Sequence, residues 1–165
     1  MIQLQPLRLA ADPAAVERKI VVRPMDMDVE IEGYLDLIED GLELWTPDGP
    51  DTIDIIRDLK TKEKAPDKKD ASVSQQLTLY FLIRLAETGR LPKLGRLVYL
   101  IRTPIEAKLD VKVQETSRDF DDLKRLVDRL NASIEAVKRG VFIPADESAP
   151  ASPCSWCEYA DGTCK

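Results

Sequence analysis

Histidine is absent from the 165-residue sequence, and this absence narrows the chemistry more than any other feature. It excludes a Ser-His-Asp triad, an imidazole general base and zinc sites with imidazole ligands. Long apolar runs are missing too, so no transmembrane helix or secretory leader is expected. We therefore expect a cytoplasmic protein without membrane contact, whose chemistry depends on carboxylates, lysine, cysteine or a metal.

Acidic residues outnumber basic ones overall, 30 to 24, but positive charge is concentrated in one segment. The formal net charge is −6 at pH 7, whereas residues 57–69, RDLKTKEKAPDKK, carry six Lys or Arg against three Asp or Glu. This segment therefore has a local net charge of +3, and the rest of the chain carries −9. Such a distribution argues against a simple nucleic-acid coat protein, but it suits an acidic enzyme that binds phosphate in one basic cleft.

The N-terminal half is predicted to form strands, with strong apolar–polar alternation in MDMDVEIEGYLDLIED. Strands are predicted at 16–23, from 25 onward, at 42–45 and at 52–60. The second of these would place four apolar side chains on one face, namely Met25, Met27, Val29 and Ile31. Gly33 would interrupt that strand as a bulge or as a point of close approach.

Two helices and two strands are predicted in the C-terminal half. One helix would begin at Asp70 or Ser72 and end at Gly89. A second helix, 117–139, would end at Gly140 and bury an apolar stripe: Phe120, Leu123, Leu126, Val127, Leu130, Ile134 and Val137. Between the helices, 96–103 resembles a central strand and 106–115 a half-exposed one with Ala107, Leu109, Val111 and Val113 inward.

This order of elements predicts an α/β fold class, in which one central mixed β-sheet is flanked by helices. We expect residues 1–143 to form one domain. Residues 144–165, which contain several prolines and all the cysteines, would form an extended tail that packs on the same domain.

Four Asp-x-Lys tripeptides occur, and the tripeptide is unspecific by itself. Asp67–Lys69 lies in a predicted loop and Asp110–Lys112 on the polar side of a strand, whereas Asp122–Lys124 spreads around a helix. In IIRDLKTK, by contrast, Asp58 and Lys60 end an apolar strand and share one of its faces. This tripeptide is therefore the candidate for an active site.

Two further motifs flank this pair. GYLDLIED places an aspartate three residues after a glycine, and SQQLTLYFL places a glutamine and a tyrosine on one face of the predicted helix. The ordered set reads Gly33-x-x-Asp36, then Asp58-x-Lys60, then Gln76-x-x-x-Tyr80. It resembles the PD-(D/E)XK nuclease superfamily, in particular its RecB-like exonuclease branch, which includes CRISPR adaptation and phage recombination exonucleases. The resemblance covers roughly residues 17–102.

The resemblance implies a restriction-endonuclease-like core and a deoxyribonuclease that uses Mg²⁺ or Mn²⁺. Asp36, Asp58 and the Leu59 carbonyl would bind the metal, since Mg²⁺ prefers oxygen ligands. Lys60 would lie beside the attacking water. An exonuclease is expected first because the resembling branch is mostly exonucleolytic, and an endonuclease stays open.

Other residues receive roles from the same resemblance. Gln76 and Tyr80 would orient the catalytic lysine or contact the DNA backbone. Glu17 aligns with a glutamate that many relatives carry, and it is either a further metal-side acid or a solvated strand charge. The lysines that would guide the DNA backbone are Lys62, Lys64, Lys68 and Lys69.

The same residues also allow a non-catalytic reading, in which the fold is a DNA- or protein-binding module. The sequence has no phosphate-binding G-x-x-x-x-G-K-[ST] loop. Any ATP-driven motor would therefore belong to a partner, such as a helicase or another recombination or CRISPR protein.

All three cysteines lie in the last dozen residues, in CSWCEYADGTC. A C-x-x-C pair in a reducing compartment favours a metal over a disulfide. In the resembling branch, a group like Cys154, Cys157 and Cys164 joins a fourth cysteine before the core to hold a [4Fe-4S] cluster. No cysteine precedes Cys154 here. Glu158, Asp161, solvent or another chain would have to supply the fourth ligand, and zinc or no metal remain alternatives.

Overall fold

A computed structural model describes residues 16–24, 27–46, 49–64, 66–102 and 109–141. These residues form β1 (Val16–Val22), β2 (Ile31–Thr46), β3 (Gly49–Lys62), α1 (Asp70–Val73), α2 (Gln75–Thr88), β4 (Leu94–Arg102), β5 (Leu109–Thr116) and α3 (Phe120–Lys138). The chain up to Val127 is one compact unit, and Asp128–Lys165 is a second. Within the described part of the second unit, the chain completes α3 and turns at Gly140 with φ +70°.

The five strands lie side by side in chain order, β1-β2-β3-β4-β5. Pairing is antiparallel except between β3 and β4, which are parallel. Parallel neighbours need a crossover connection, and α1 and α2 provide it. This mixed sheet with helices confirms the fold class predicted from the sequence, including the central position of β4.

The core lies between the sheet and α2. Leu77, Phe81 and Ile83 of α2 are fully buried, together with Leu35 and Ile56 of the sheet. Two glycines permit this close packing. A Cβ on Gly33 would lie 2.7 Å from Ile83 Cδ1, and one on Gly95 would lie 2.6 Å from Phe81 Cε2. Gly33 therefore marks a close approach, which was one of its two predicted roles.

β2 differs from its prediction at both ends. Residues 27–30 form a bend instead of strand, because the Pro24 carbonyl accepts a hydrogen bond from Met27 N at 3.3 Å and turns the chain. The predicted face of four apolar residues is thus wrong for Met27 and Val29, and Met25 lies outside the described residues. Residues 42–45 are no separate strand, since a register shift between Glu39 and Leu42 carries β2 on to Thr46.

The first predicted helix is broken at Ser74. This residue has an extended backbone (φ −65°, ψ 111°), and its hydroxyl oxygen accepts a hydrogen bond from Leu77 N at 3.2 Å. Ser74, not Asp70 or Ser72, is therefore the N-cap of the long helix α2. Gly89 ends α2 with a left-handed φ of +72°, as predicted.

The burial predicted for β5 and α3 is partly wrong. Val111 and Val113 are 41% and 51% exposed, and Gln114 is half-buried instead. The reason is that Gln114 bonds to the α1 region, accepting from Ala71 N and donating to the Asp67 carbonyl. In α3, Leu123 is buried as predicted. Phe120 and Val137, also predicted to be buried, are 66% and 57% exposed.

Several predictions concern parts of the chain that the structure does not describe. The side chains of Ala107 and Leu109 and the tail 144–165 lie outside the described residues, so the expected domain boundary stays a prediction. Among the helices that the structure describes, none is long and apolar enough to cross a membrane.

Candidate active site

The candidate site lies where two strands of the sheet separate. The pairing of β2 with β3 reaches Leu37 and Arg57. Past this pair, β2 continues beside β1, and β3 continues beside β4. Asp36 and Asp58 occupy the next position on each strand, at the opening of the fork. The Asp36 carboxylate spans the fork, because its Oδ2 accepts a hydrogen bond from Leu59 N at 2.7 Å.

Asp58 is buried although it is charged, with 1% of its surface exposed. Lys60 Nζ lies 2.9 Å from Oδ2 and 3.2 Å from Oδ1, and its hydrogen bond goes to Oδ1. Oδ2 is thus in ionic contact with the ammonium, but it accepts no hydrogen bond from the described residues. Burial raises the pKa of Asp58 above its usual range and nearby Asp36 adds to this, whereas Lys60 opposes it.

A chain of hydrogen bonds connects the lysine to α2. Lys60 Nζ donates to Gln76 Oε1 at 2.8 Å, and Gln76 Nε2 lies 2.7 Å from the Tyr80 hydroxyl oxygen. Because an ammonium only donates, it fixes the glutamine oxygen toward Lys60 and the amide nitrogen toward Tyr80. Tyr80 is 6% exposed, and burial is the main cause of its raised pKa. The structure therefore brings together the five residues of the predicted catalytic set: Asp36, Asp58, Lys60, Gln76 and Tyr80.

Arg118 fixes the beginning of α2. Its guanidinium, 9% exposed, donates from Nε to Thr78 Oγ1 at 2.7 Å. Nη2 donates to three carbonyl oxygens around the α1–α2 junction, those of Ala71, Ser72 and Ser74. The Ala71 and Ser74 carbonyls also accept backbone hydrogen bonds, from Ser74 N and Thr78 N, so Arg118 adds a further donor at this junction. The first turn of α2, which carries Gln76, is therefore held against the segment that follows β5.

Arg84 fixes the other half of α2. It is 2% exposed and forms ion pairs with Asp40 of β2 and with Glu87. Glu87 in turn pairs with Arg18 of β1. A buried arginine is tolerated only with such partners. With both halves anchored, α2 presents Gln76 and Tyr80 to the fork in one orientation.

The two carboxylates fit a divalent cation. Oδ2 of Asp58 is a buried anionic oxygen without a hydrogen bond from the described residues, and Asp36 supplies a second carboxylate across the fork. Mg²⁺ prefers oxygen ligands and usually keeps several waters, so one or two carboxylates are sufficient. Among the described residues, no group of three or more His, Cys, Asp or Glu forms a metal site by itself. A cation in the fork would thus depend on the two aspartates, backbone oxygen and water.

Glu17 lies on β1 between two residues that pair with β2 on either side of Asp36. Its backbone has a φ of +49°, and its side chain is exposed. A left-handed conformation costs a non-glycine residue roughly 1–2 kcal/mol. Its role as a metal-side acid stays a prediction, as does that of the Leu59 carbonyl. Cys154, Cys157 and Cys164 lie outside the described residues, so the cluster or zinc site also stays a prediction.

The four lysines of the predicted DNA-guiding group have different surroundings. Lys64, Lys68 and Lys69 are exposed in the segment between β3 and α1. Lys62 instead forms an ion pair of 2.8 Å with Asp70, and its Nζ lies 4.9 Å from the centroid of the Tyr99 ring.

Tyr99 and Asp70 were not among the sequence-predicted site residues. The Tyr99 hydroxyl donates to Asp70 Oδ2 at 3.0 Å. Tyr99 is 2% exposed, and burial together with Asp70 raises its pKa to about 12. The sequence signal was faint: Tyr99 is the residue with a polar group in the middle of the apolar strand LVYLI.

Comparisons with known proteins identify a family and distant structural likenesses. No curated protein matches the chain. A solved structure titled "Crystal structure of SSO0001" aligns with a TM-score of 0.43 and 17% sequence identity. The alignment covers 88% of this chain and 56% of that one, so the chain spans little more than half of that protein's length. The model of the PD-(D/E)XK nuclease superfamily matches residues 3–164. Since this match spans nearly the whole sequence, the chain belongs to the PD-(D/E)XK nuclease superfamily.

Proposed function

We propose that this member of the superfamily is an active, Mg²⁺- or Mn²⁺-dependent deoxyribonuclease, most simply an exonuclease. The observation that carries the proposal is the buried Asp58. It lies beside Asp36, keeps one oxygen without a hydrogen bond from the described residues and is ion-paired to Lys60. Burying a carboxylate destabilises the fold. The burial of Asp58 therefore indicates a functional role for this carboxylate.

Asp36 and Asp58 would hold the metal, with the Leu59 carbonyl as a third oxygen and Glu17 as a candidate further acid. A bound divalent cation supplies Lewis-acid stabilisation of a phosphate oxygen and a more acidic water. Oδ2 of Asp58, which accepts no hydrogen bond from the described residues, and the carboxylate of Asp36 are the oxygens of the described site that suit this role.

Lys60 would stabilise negative charge on the phosphate and orient the attacking water. Its ammonium has two fixed acceptors, Asp58 and Gln76, and its side chain is 36% exposed, so it is held in place and still accessible from solvent. A preorganised cation avoids the reorganisation that a free side chain would need during the reaction. Gln76 and Tyr80 act through Lys60 and are positioning residues.

The charge distribution supports a polyanionic substrate. The basic segment 57–69 runs directly from the fork, and four of its lysines are exposed. A polyanion would be attracted to this segment and repelled by the acidic remainder of the chain. DNA as the substrate, the exonucleolytic mode and the part played in recombination, repair or phage and CRISPR DNA processing follow from the RecB-like resemblance. A helicase or a recombination or CRISPR protein is the expected partner, in the cytoplasm.

The C-terminal cysteines belong to the same proposal. They would hold a [4Fe-4S] cluster or Zn²⁺ with a structural role. Anaerobically purified protein would then show absorbance near 400 nm for the cluster, or bound zinc in elemental analysis. Protein with neither signal would remove this part of the proposal and leave the nuclease assignment unchanged.

The test is cleavage of labelled linear and circular DNA, single- and double-stranded, with Mg²⁺, Mn²⁺ or EDTA. The chain offers matched controls, since Asp110 and Lys112 form a second Asp-x-Lys tripeptide on β5 that is exposed. We expect wild type, Asp110→Asn and Lys112→Met to degrade linear DNA, and Asp58→Asn and Lys60→Met to lose at least about 10²-fold in rate.

Two outcomes would change the proposal. Cleavage of circular DNA would identify an endonuclease. DNA binding without metal-dependent cleavage in any of these conditions would contradict the enzyme and leave a non-catalytic binding module on the same fold.

A further inference from the structure

Lys62 lies two residues after Lys60 on β3, and its ammonium is held by two neighbours. Nζ lies 2.8 Å from Asp70 Oδ2 and 4.9 Å from the centroid of the Tyr99 ring. The Tyr99 hydroxyl donates to the same Asp70 oxygen at 3.0 Å. Lys62, Asp70 and Tyr99 thus form a closed group, called the Lys62 cluster below, in which every member contacts the other two.

The Lys62 cluster adjoins the candidate active site. Side chains alternate along a strand, so Lys60 and Lys62 lie on the same face of β3, about 6.6 Å apart along it. The parallel register places Lys60 beside Tyr99. The negative charge of Asp58 also contributes to the raised pKa of Tyr99, after burial and Asp70. A separation of this size is comparable to that between neighbouring phosphates of one DNA strand.

Lys62 is immobilised without being buried. Its side chain is 42% exposed, whereas Tyr99 beneath it is 2% exposed. A free lysine loses up to about 2 kcal/mol of rotamer entropy when a ligand fixes it. In Lys62 much of this freedom is already lost to Asp70 and Tyr99, so a phosphate would meet a preorganised cation. The exposed lysines farther along, Lys64, Lys68 and Lys69, lie on bends and turns.

A structural role alone does not account for the Lys62 cluster. An exposed ion pair contributes only about 0–1 kcal/mol to stability, and Lys62 and Asp70 are both partly exposed. Removal of the lysine should therefore leave the fold intact. A role in DNA binding does account for it. The cluster holds the ammonium of Lys62 in one position beside Lys60 and the proposed site of phosphodiester hydrolysis.

We propose that Lys62 binds the DNA phosphate next to the one that is hydrolysed, on a platform formed by Asp70 and Tyr99. The proposal rests on the nuclease function given above and adds a second phosphate position to it. In the DNA-free protein, Asp70 balances the charge of the ammonium. In the DNA complex, the ammonium of Lys62 contacts both Asp70 and the phosphate.

The test compares Lys62→Met with Lys19→Met. Lys19 is a matched control: its Nζ lies 2.9 Å from Glu32 Oε1 and 5.8 Å from the centroid of the Tyr34 ring. It precedes Ile20, which is buried in the core under α2, so alternation places Lys19 on the opposite face of β1. Both variants remove one positive charge and one lysine–acid pair over a tyrosine.

Binding is measured by fluorescence anisotropy with a labelled oligonucleotide, in the Asp58→Asn background so that no cleavage occurs, over a series of NaCl concentrations. We expect Lys62→Met to weaken binding about 5- to 10-fold and to lower the salt slope of log K by about 0.7–0.9, the value for one lost phosphate contact. Lys19→Met should keep the slope of its parent. In the cleaving enzyme, Lys62→Met should raise KM and leave kcat within about twofold, as for lost uniform binding.

The outcomes separate this inference from the nuclease proposal. Equal slopes and affinities for Lys62→Met and Lys19→Met would overturn the inference and leave the nuclease assignment standing. A Lys62-dependent slope in a protein that cleaves no DNA would support the phosphate position while the nuclease proposal fails.

Tyr99→Phe should weaken binding by less than Lys62→Met without changing the slope, and wild-type affinity in this variant would overturn the part assigned to the tyrosine hydroxyl.

Discussion

Asp36 Oδ2 accepts a hydrogen bond from the backbone N–H of Leu59 at 2.7 Å, across the fork between β2 and β3. Where two strands separate, a backbone N–H loses its partner in the neighbouring strand and needs another acceptor. The carboxylate of Asp36 supplies that acceptor, and the contact brings it next to Asp58. One side chain therefore closes the end of a strand pair and contributes one of the two aspartate carboxylates of the proposed metal site.

This double role of Asp36 can be separated by two substitutions. Asp36→Asn keeps an oxygen for Leu59 N–H but loses the charge, so we expect near-wild-type stability and greatly weakened Mg²⁺ binding. Asp36→Ala loses both, and loss of this exposed hydrogen bond should lower the free energy of unfolding by about 0.5–1.5 kcal/mol. Urea unfolding and Mg²⁺ titration by calorimetry measure the two effects. Equal stability of the two variants would show that the hydrogen bond is unimportant for the fold.

Asp58→Asn should stabilise the protein at neutral pH while it abolishes activity. Burial raises the pKa of Asp58, so its favourable contribution to folding exists below the unfolded-state pKa of about 4 and is lost as pH rises through the folded-state pKa. We therefore expect a higher free energy of unfolding for the variant at pH 7, and a smaller difference near pH 4. Denaturation at both pH values tests this, with Asp110→Asn as the exposed control. Lower stability of Asp58→Asn at pH 7 would contradict it.

The same raised pKa predicts the pH dependence of metal binding. A metal-binding carboxylate must be ionised, so the Mg²⁺ affinity and kcat/KM should fall as the pH decreases through a value above the usual range of aspartate, about 4. A pH–rate profile at subsaturating Mg²⁺ measures this. An acid limb at or below the usual aspartate value would show that burial does not govern the titration of Asp58.

Tyr80→Phe should impair catalysis without affecting the metal. The substitution removes the oxygen near Gln76 Nε2 and so loosens the glutamine that holds Lys60. Loss of one such hydrogen bond corresponds to about 1 kcal/mol, which predicts a roughly fivefold lower kcat. The Mg²⁺ affinity should stay unchanged, because Asp36 and Asp58 are not touched. Tyr34→Phe, at an exposed tyrosine of β2, is the control. An unchanged kcat in Tyr80→Phe would mean that Gln76 positions Lys60 without the tyrosine.

The approach of α2 to Gly33 is testable by a double-mutant cycle. A Cβ at Gly33 would lie 2.7 Å from Ile83 Cδ1, so Gly33→Ala should destabilise the protein by about 1–3 kcal/mol through overpacking. Ile83→Val removes that terminal methyl group, and the double variant should be more stable than the sum of the single effects by at least about 0.5 kcal/mol. Gly95→Ala, which meets Phe81 instead, should show no such coupling with Ile83→Val. Additive effects for Gly33 and Ile83 would contradict the close approach.

The elements that the sequence predicts well are those whose signals are local. The apolar strand at 52–60 and the left-handed glycine at the end of α2 depend on neighbouring residues, and both predictions are confirmed. The predictions that fail depend on distant parts of the chain. Val111 and Val113 alternate like inward residues, but β5 is an edge strand and its half-buried side chain is Gln114, which bonds to α1.

The sequence by itself determined the residue types of the candidate site and their spacing along the chain, because acid, lysine, glutamine and tyrosine each follow a local period of strand or helix. The sequence also singled out Asp58-x-Lys60 among the four Asp-x-Lys tripeptides, because this one ends an apolar strand. Only the tertiary structure decided which side chains surround it. At the fork, separation of β2 from β3 and the cover of α2 bury Asp58, raise its pKa and bring Asp36, 22 positions earlier, beside it. The same packing set Lys62 apart from the other basic residues, since Tyr99 and Asp70 reach it through strand pairing and a helix start. Burial and pairing of this kind arise between distant segments, and no local pattern contains them.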